Sequence, residues 1–199
     1  MTSPNHQQAI TYAYKRLQRE LSPKLTYHTL WHTQEDVVLS CLQIAHDLHI
    51  AEEEMRLLEV SAAFHDIGFI VDYANHELNG VHIAAEVLPD FGYSEREIAL
   101  VTGMILATRL PQSPTTLLQE ILADADFSVL GREDFFERNQ CLKQELANYG
   151  RMIEEKAWYE TQLALLESHE YFTEAAKKLR DPMKREHIIS LKKMLQSLA

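Results

Sequence analysis

The chain has 199 residues, 46% of them hydrophobic, a length and apolar content that suit one domain with a substantial core. Its 19 basic and 30 acidic residues give a net charge of −11, and no Lys/Arg-rich stripe is present to displace counterions from a phosphate backbone, which removes duplex nucleic acid from the expected partners. No run approaches the length of apolar sequence that spans a bilayer, and the polar segment Met1-Thr2-Ser3-Pro4-Asn5-His6 lacks a basic stretch followed by an apolar one, so neither membrane insertion nor export is expected.

In chain order, apolar residues recur three and four apart without strict alternation, which predicts helices throughout. Ser3 and Pro4 read as cap and first turn of a helix to about residue 21, broken by Ser22-Pro23. Thr33 with Asp36 reads as the start of the next, whose stripe Val38, Leu42, Ala45, Leu48 faces the core. A third helix is expected over 52–66 and ended by Gly68. Asn75 caps a fourth through residue 88, stopped by Pro89, and Ser94 with Glu97 makes a capping box for a fifth through residue 108. Residues 109–114 form a loop, and a sixth helix runs over 116–131 on the stripe Leu118, Leu122, Ala125, Val129. Four more follow over 134–149, 151–168, 173–180 and 184–198, the third ending near Pro182. Cys41 and Cys141 fall among apolar residues of these helices as buried reduced thiols, which points to the cytoplasm. With no Ser/Gly/Pro-rich linker and no internal repeat, residues 1–199 read as a single all-α domain, with 132–199 packed on a core of 25–131.

Three distant fragments carry the chemistry: Tyr27-His28-Thr29-Leu30-Trp31-His32, the doublet His65-Asp66, and Asp124-Ala125-Asp126. The doublet follows the apolar helical stretch Leu57-Leu58-Glu59-Val60-Ser61-Ala62-Ala63-Phe64, so two ionisable groups stand where a core would otherwise continue. Burying a carboxylate without a partner is too costly for filler, and imidazole nitrogens with carboxylate oxygens are ligands for divalent metals. The set therefore reads as one metal site. Residues two apart on a helix point about 200° apart, so only one of Asp124 and Asp126 can face the metal. Asp126 borders the stripe between Leu122 and Val129 and is preferred; Asp124 is then a group behind the ligands or a solvent-exposed residue.

This order of His, His-Asp and a later Asp on helices resembles the HD-domain superfamily of metal-dependent phosphohydrolases, over roughly residues 25–131. The resemblance implies an HD-type helical bundle in which His32, His65, Asp66 and Asp126 bind metal. Tyr27-His28 through His32 is also similar to the Tyr-His-Asn-x-x-His motif of cyclic-nucleotide phosphodiesterases, with Thr29 in place of Asn, and Ala125-Asp126-Phe127-Ser128 is similar to their Ala-Asp-Leu-Ser segment. That similarity implies that His28 protonates the leaving oxygen. His76-Glu77-Leu78-Asn79-Gly80 resembles the His-x-x-x-Gly element that supplies a third histidine in di-metal branches, which implies a second metal site there, while the fourth histidine of those branches has no counterpart near 105–109.

The expected function is hydrolysis of a phosphate ester of a nucleotide or related small molecule, diester or monoester, by a metal-activated water. His28 and Asp66 are the expected catalytic groups. Arg109, in the loop after Thr108, is a candidate phosphate clamp, and His76 and Glu77 are candidates for substrate contact or a second metal. The cation is divalent, with Mn, Mg, Zn, Fe, Co and Ni not distinguished. A nucleotide 5′-monophosphatase and a metal-stabilised binding module without turnover remain as alternatives, and a homodimer is left open.

Overall fold

The structure is a computed structural model that describes residues 4–198, and among these every regular element is helical. Helix α1 (His6–Glu20) is capped by Asn5, whose side chain accepts from the Gln8 amide, so the chain turns helical after Pro4; Ser3 lies outside the described residues. Its stripe Ala9, Ile10, Ala13, Leu17 is buried at helical spacing. The next helix does not start at Thr33 and Asp36 as expected. The chain is already helical at Leu30, widens into a π-helical segment over His32–Val38, and continues without a break as α2 (Leu39–Asp47). Asp36 is buried and turned to His32 and to two arginines, because a charged residue inside the protein is held by partners rather than by a helix end. A single π-helical turn inside a longer helix is often found at a functional site.

Helix α3 (Glu52–Phe64) starts with three glutamates, which suits the positive end of the helix dipole. From Val60 to Phe64 every residue is buried, so this is a helix driven into the core, and its end delivers His65 and Asp66 there. A 3-10 turn (Ile67–Ile70) follows. Gly68 is not a left-handed cap: a Cβ on it would lie 1.8 Å from the His76 carbonyl oxygen, so its role is close approach to α4 (His76–Val87). Asn75 precedes α4, but its amide bonds to Asp72 rather than capping. Helix α5 (Glu95–Ala107) has the expected Ser94–Glu97 capping box. Helix α6 (Leu117–Asp126), capped by Thr116, stops at Asp126, and a 3-10 turn over Ser128–Gly131 replaces the longer helix expected there.

Helices α7 (Phe135–Asn148), α8 (Glu155–Ser168) and α9 (Glu174–Ser197) complete the chain. Helix α9 runs through Pro182 instead of stopping there. An interior proline costs about 3 kcal/mol, and the burial of Ala176 before it and of Lys184, His187 and Leu191 after it holds the helix through that point. A large core joins α1, α2, α3, α5 and α6, and a smaller one around Tyr27, Leu130, Phe135, Leu166 and Leu191 joins the C-terminal helices to the end of α6. Cys41 is fully buried, its thiol pushed far up by burial, whereas Cys141 is only half-buried; both are free. Among the described residues, no helix is long and apolar enough to cross a membrane.

Asp124 is buried, and it is neither a solvent residue nor a support for the other site carboxylates. One oxygen accepts from the Phe172 amide at 2.8 Å, and the other accepts from the Thr173 amide at 2.8 Å and its hydroxyl at 2.7 Å, which ties α6 to the start of α9. A carboxamide in place of this carboxylate would turn an N–H towards donors. Asp124→Asn is therefore expected to lower unfolding stability by about 1–3 kcal/mol in urea denaturation while leaving metal content unchanged.

Candidate metal centre

His32 opens the π-helical segment, His65 and Asp66 follow the last turn of α3, and Asp126 ends α6, so the ends of three helical elements meet at one place. His65 Nε2 lies 3.2 Å from Asp66 Oδ2 and 3.7 Å from Asp126 Oδ1, and His32 Nε2 lies 3.6 Å and 3.7 Å from the same two oxygens. The other ring nitrogens are already committed. His65 Nδ1 sits 2.7 Å from the Ala62 carbonyl oxygen, which can only accept, so Nδ1 carries the proton and the neutral ring turns a lone pair inward. His32 Nδ1 donates to Asp36 Oδ2 at 3.1 Å, and Asp36 is held in turn by Arg132 at 2.6 Å and Arg138 at 3.3 Å.

His32 Nε2, His65 Nε2 and Asp66 Oδ2 are all buried with no hydrogen-bond partner among the described residues. Leaving such atoms unpaired costs about 1–3 kcal/mol each, more for a charge. Two lone pairs and a carboxylate oxygen facing one point fit a divalent cation, and the hydrogen-bonded far side of each imidazole fixes the ring that would hold it. Without a cation, the carboxylates draw protons onto the rings. Burial opposes this, but Asp126, Asp36 and Asp66 outweigh it and push His32 up to about 9, and Asp66 with Asp126 raises His65 in the same way. Burial likewise works against charge on Asp66, yet the neighbouring histidines hold it far below the usual carboxylate range.

His28 stands beside this set, its ring centroid 5.7 Å from that of His32. Its Nδ1 donates to Glu145 Oε1 at 2.5 Å; Glu145 also accepts from the Tyr27 and His28 amides at 2.8 and 3.0 Å and from the Tyr73 hydroxyl at 3.2 Å. Burial pushes Glu145 up, but these donors prevail and hold it below its ordinary value. Phe69 stacks on both the His28 and His76 rings, at 4.5 and 3.9 Å, and these two rings are 6.2 Å apart. His76 Nε2 is 3.8 Å from Asp66 Oδ1 and 3.5 Å from Glu77 Oε1, so His76 and Glu77 flank the outer side of Asp66.

A cavity of about 510 Å³ opens on His28, Asp66, His76, Glu77 and Asp126 and extends between the end of α6 and the faces of α7 and α8. Thr108 and Leu110 line it, but Arg109 between them is exposed and does not. Three residues of this centre are not apparent in the sequence. Asp36 is four residues after His32, a spacing that places both on one helix face and could have signalled the pair. Glu145 and Arg138 lie more than 100 residues from the groups they hold and leave no local signal.

His169 also lines the cavity, stacked on Phe127 at 5.2 Å, with Lys184 Nζ 3.3 Å from its Nδ1. Burial first, and the Lys184 charge second, bring its pKa down to about 4.

No protein-family model matches the chain, and no curated protein matches it. Among solved structures it is similar to one described as a predicted HD superfamily hydrolase from an uncultured Thermotogales bacterium, at a TM-score of 0.66 and 19% identity, over 98% of this chain and 94% of that one. At that identity the likeness establishes the fold: a helical bundle of the HD type, with the C-terminal helices included in the match.

Two expectations follow. His65→Ala and Asp66→Ala should each purify with little or none of the divalent metal found in the wild type by elemental analysis; full occupancy in both would remove the assignment of the centre. His169 titrates near 6.5 in an unfolded chain and near 4 when folded, so the unfolded state binds more protons in between and the protein loses stability as pH falls through that window. Urea denaturation from pH 7 to pH 4 should show a shallower loss for His169→Gln than for the wild type.

Proposed function

We propose that the protein is a metal-dependent phosphohydrolase acting on a small phosphate ester, as a diesterase or a monoesterase. The observation that carries this reading is the pairing of two features in one cavity: buried ligand atoms without protein partners, and a histidine beside them held by a buried glutamate. A divalent cation bound there would supply Lewis acidity to water and to the phosphate oxygens.

The chain's own groups divide the proton work. Glu145 fixes the proton on His28 Nδ1 and stabilises the ring when it is charged, leaving Nε2 as the nitrogen that delivers a proton to the departing ester oxygen. Asp66 turns Oδ2 towards the other ligand atoms and leaves Oδ1, beside His76, to accept the proton of the attacking water. One P–O bond forms to that water as the bond to the alcohol breaks, and the alcohol leaves neutral. His76 and Glu77 together are suited to a second cation, and the His76 ring alone to a hydrogen bond with the far side of the phosphate. Asp36 keeps the His32 ring turned inward, and Arg132 and Arg138 hold Asp36 in place.

His28→Ala tests this division of labour. It should keep its metal and lose about 10² to 10⁴ in turnover of alkyl phosphate esters, because a positioned acid is missing. Nitrophenyl esters leave without protonation and should fall far less. Equal losses on both kinds of ester would assign His28 to binding or packing, and unchanged rates on both would put it outside the reaction.

A further inference from the structure

Beyond the ligand residues, the cavity is walled by Phe127, Leu130, Phe135, Leu142 and Leu165, and among the described residues lining it none is Lys or Arg. Its only ionised wall outside the imidazoles is acidic, from Asp66, Glu77 and Asp126. A phosphate held at the metal end would be served; a second phosphate further in would meet mostly hydrocarbon and uncharged polar groups, with no lysine or arginine on the wall and Lys184 turned behind His169.

Among the polar residues that share this wall with the apolar ones, Thr108, Gln112, Asn139, Gln162, Ser168 and His169, two are joined in a hydrogen-bond relay. The Trp158 indole N–H donates to Asn139 Oδ1 at 2.6 Å, and Asn139 Nδ2 donates to Gln162 Oε1 at 2.6 Å. An indole nitrogen can only donate, so Asn139 must accept with its oxygen and donate with its nitrogen, and Gln162 must then accept with its oxygen. The relay fixes both amides without ambiguity. It leaves the Gln162 NH₂, on a side chain only 4% exposed, with no hydrogen-bond partner among the described residues and on the wall of the cavity. Gln162, Leu165 and His169 recur three and four apart, so one face of α8 and its end supplies this wall.

We infer that the cavity takes the organic group of a single phosphate ester, uncharged and largely apolar, and that the Gln162 amide donates to a hydrogen-bond acceptor on that group. The inference deepens the phosphohydrolase reading and rests on it for the phosphate. An aromatic base and an aryl or alkyl alcohol carrying a carbonyl or ether share this chemistry; a nucleoside di- or triphosphate does not. Gln162 is here a specificity residue, apart from the groups that move protons.

The test is calorimetric titration of the metal-loaded protein with two non-hydrolysable probes, 4-acetylbenzylphosphonate and 4-ethylbenzylphosphonate, which differ in a carbonyl acceptor. One buried hydrogen bond is worth about tenfold in Kd. The wild type should bind the acetyl probe about tenfold more tightly, and Gln162→Leu should lose that preference by weakening the acetyl probe alone, with metal content unchanged. Trp158→Phe, which frees the relay, should weaken the same preference and covers the case in which the leucine variant fails to fold. Equal affinities in the wild type, a preference retained in Gln162→Leu, or tighter binding of uridine 5′-diphosphate than of uridine 5′-monophosphate would overturn the inference. Competition by uridine 5′-monophosphate with the same Gln162 dependence would support it and identify a base as the acceptor. If no ester is turned over with any divalent metal while the Gln162 preference holds, the hydrolase reading fails and the cavity assignment stands. If esters are turned over and the wild type shows no preference, the cavity assignment fails alone.

Discussion

Two imidazole nitrogens and a carboxylate oxygen, buried together and facing no protein donor, are the constraint around which this chain is arranged. A protein interior does not keep such atoms without return, since each forfeits its hydration. The surrounding structure devotes much of its geometry to holding them there. Helix α3 is buried all around its last turns to carry the doublet inward, and Gly68 lets the start of α4 close against it where any side chain would collide. The far nitrogens of both rings are tied, one to a carbonyl and one to Asp36, so the rings cannot rotate away to find other partners.

The C-terminal helices complete what the first part of the chain begins. Arg138, on α7, reaches the Tyr27 carbonyl at 3.0 Å and pairs with Asp36, and Glu145 on the same helix receives the backbone and ring of the His28 segment. Helix α8 contributes the opposite wall of the cavity. The candidate ligands His32, His65, Asp66 and Asp126 thus all precede α7, whereas Glu145, which holds His28, Arg138, which holds Asp36, and the far faces of the substrate space come from the helices that follow. Asp124 anchors α9 to α6 two residues before Asp126, so the same helix end serves the site with one carboxylate and the fold with the next.

How far the sequence reveals this depends on the range of the interaction. Helices with a clear stripe and local caps, such as α5 with Ser94 and Glu97, are legible because everything that defines them lies within a few residues. The all-α class follows from the same periodicity. The doublet is legible as well, because polar residues inside an apolar run conflict with burial unless something meets them. Local signals mislead where a distant contact overrides them: Thr33 and Asp36 look like a cap, but Arg132 and Arg138 draw Asp36 into the interior, and Pro182 looks like a stop, but packing on both sides of it carries α9 onward. Glu145 and the Trp158–Asn139–Gln162 relay have no signature at all in one sequence, since their partners are brought together only by the packing of α7 and α8.

The central claim is that the meeting point of His32 Nε2, His65 Nε2 and Asp66 Oδ2 holds a divalent cation. Anomalous diffraction from crystals grown with manganese, recorded on both sides of its absorption edge, addresses it directly. The account predicts one dominant anomalous peak at about 2.0–2.3 Å from these three atoms, with Asp126 drawn in as a further ligand. A site empty of anomalous signal, with His32 and His65 instead protonated and bonded to Asp66 and Asp126, would contradict it.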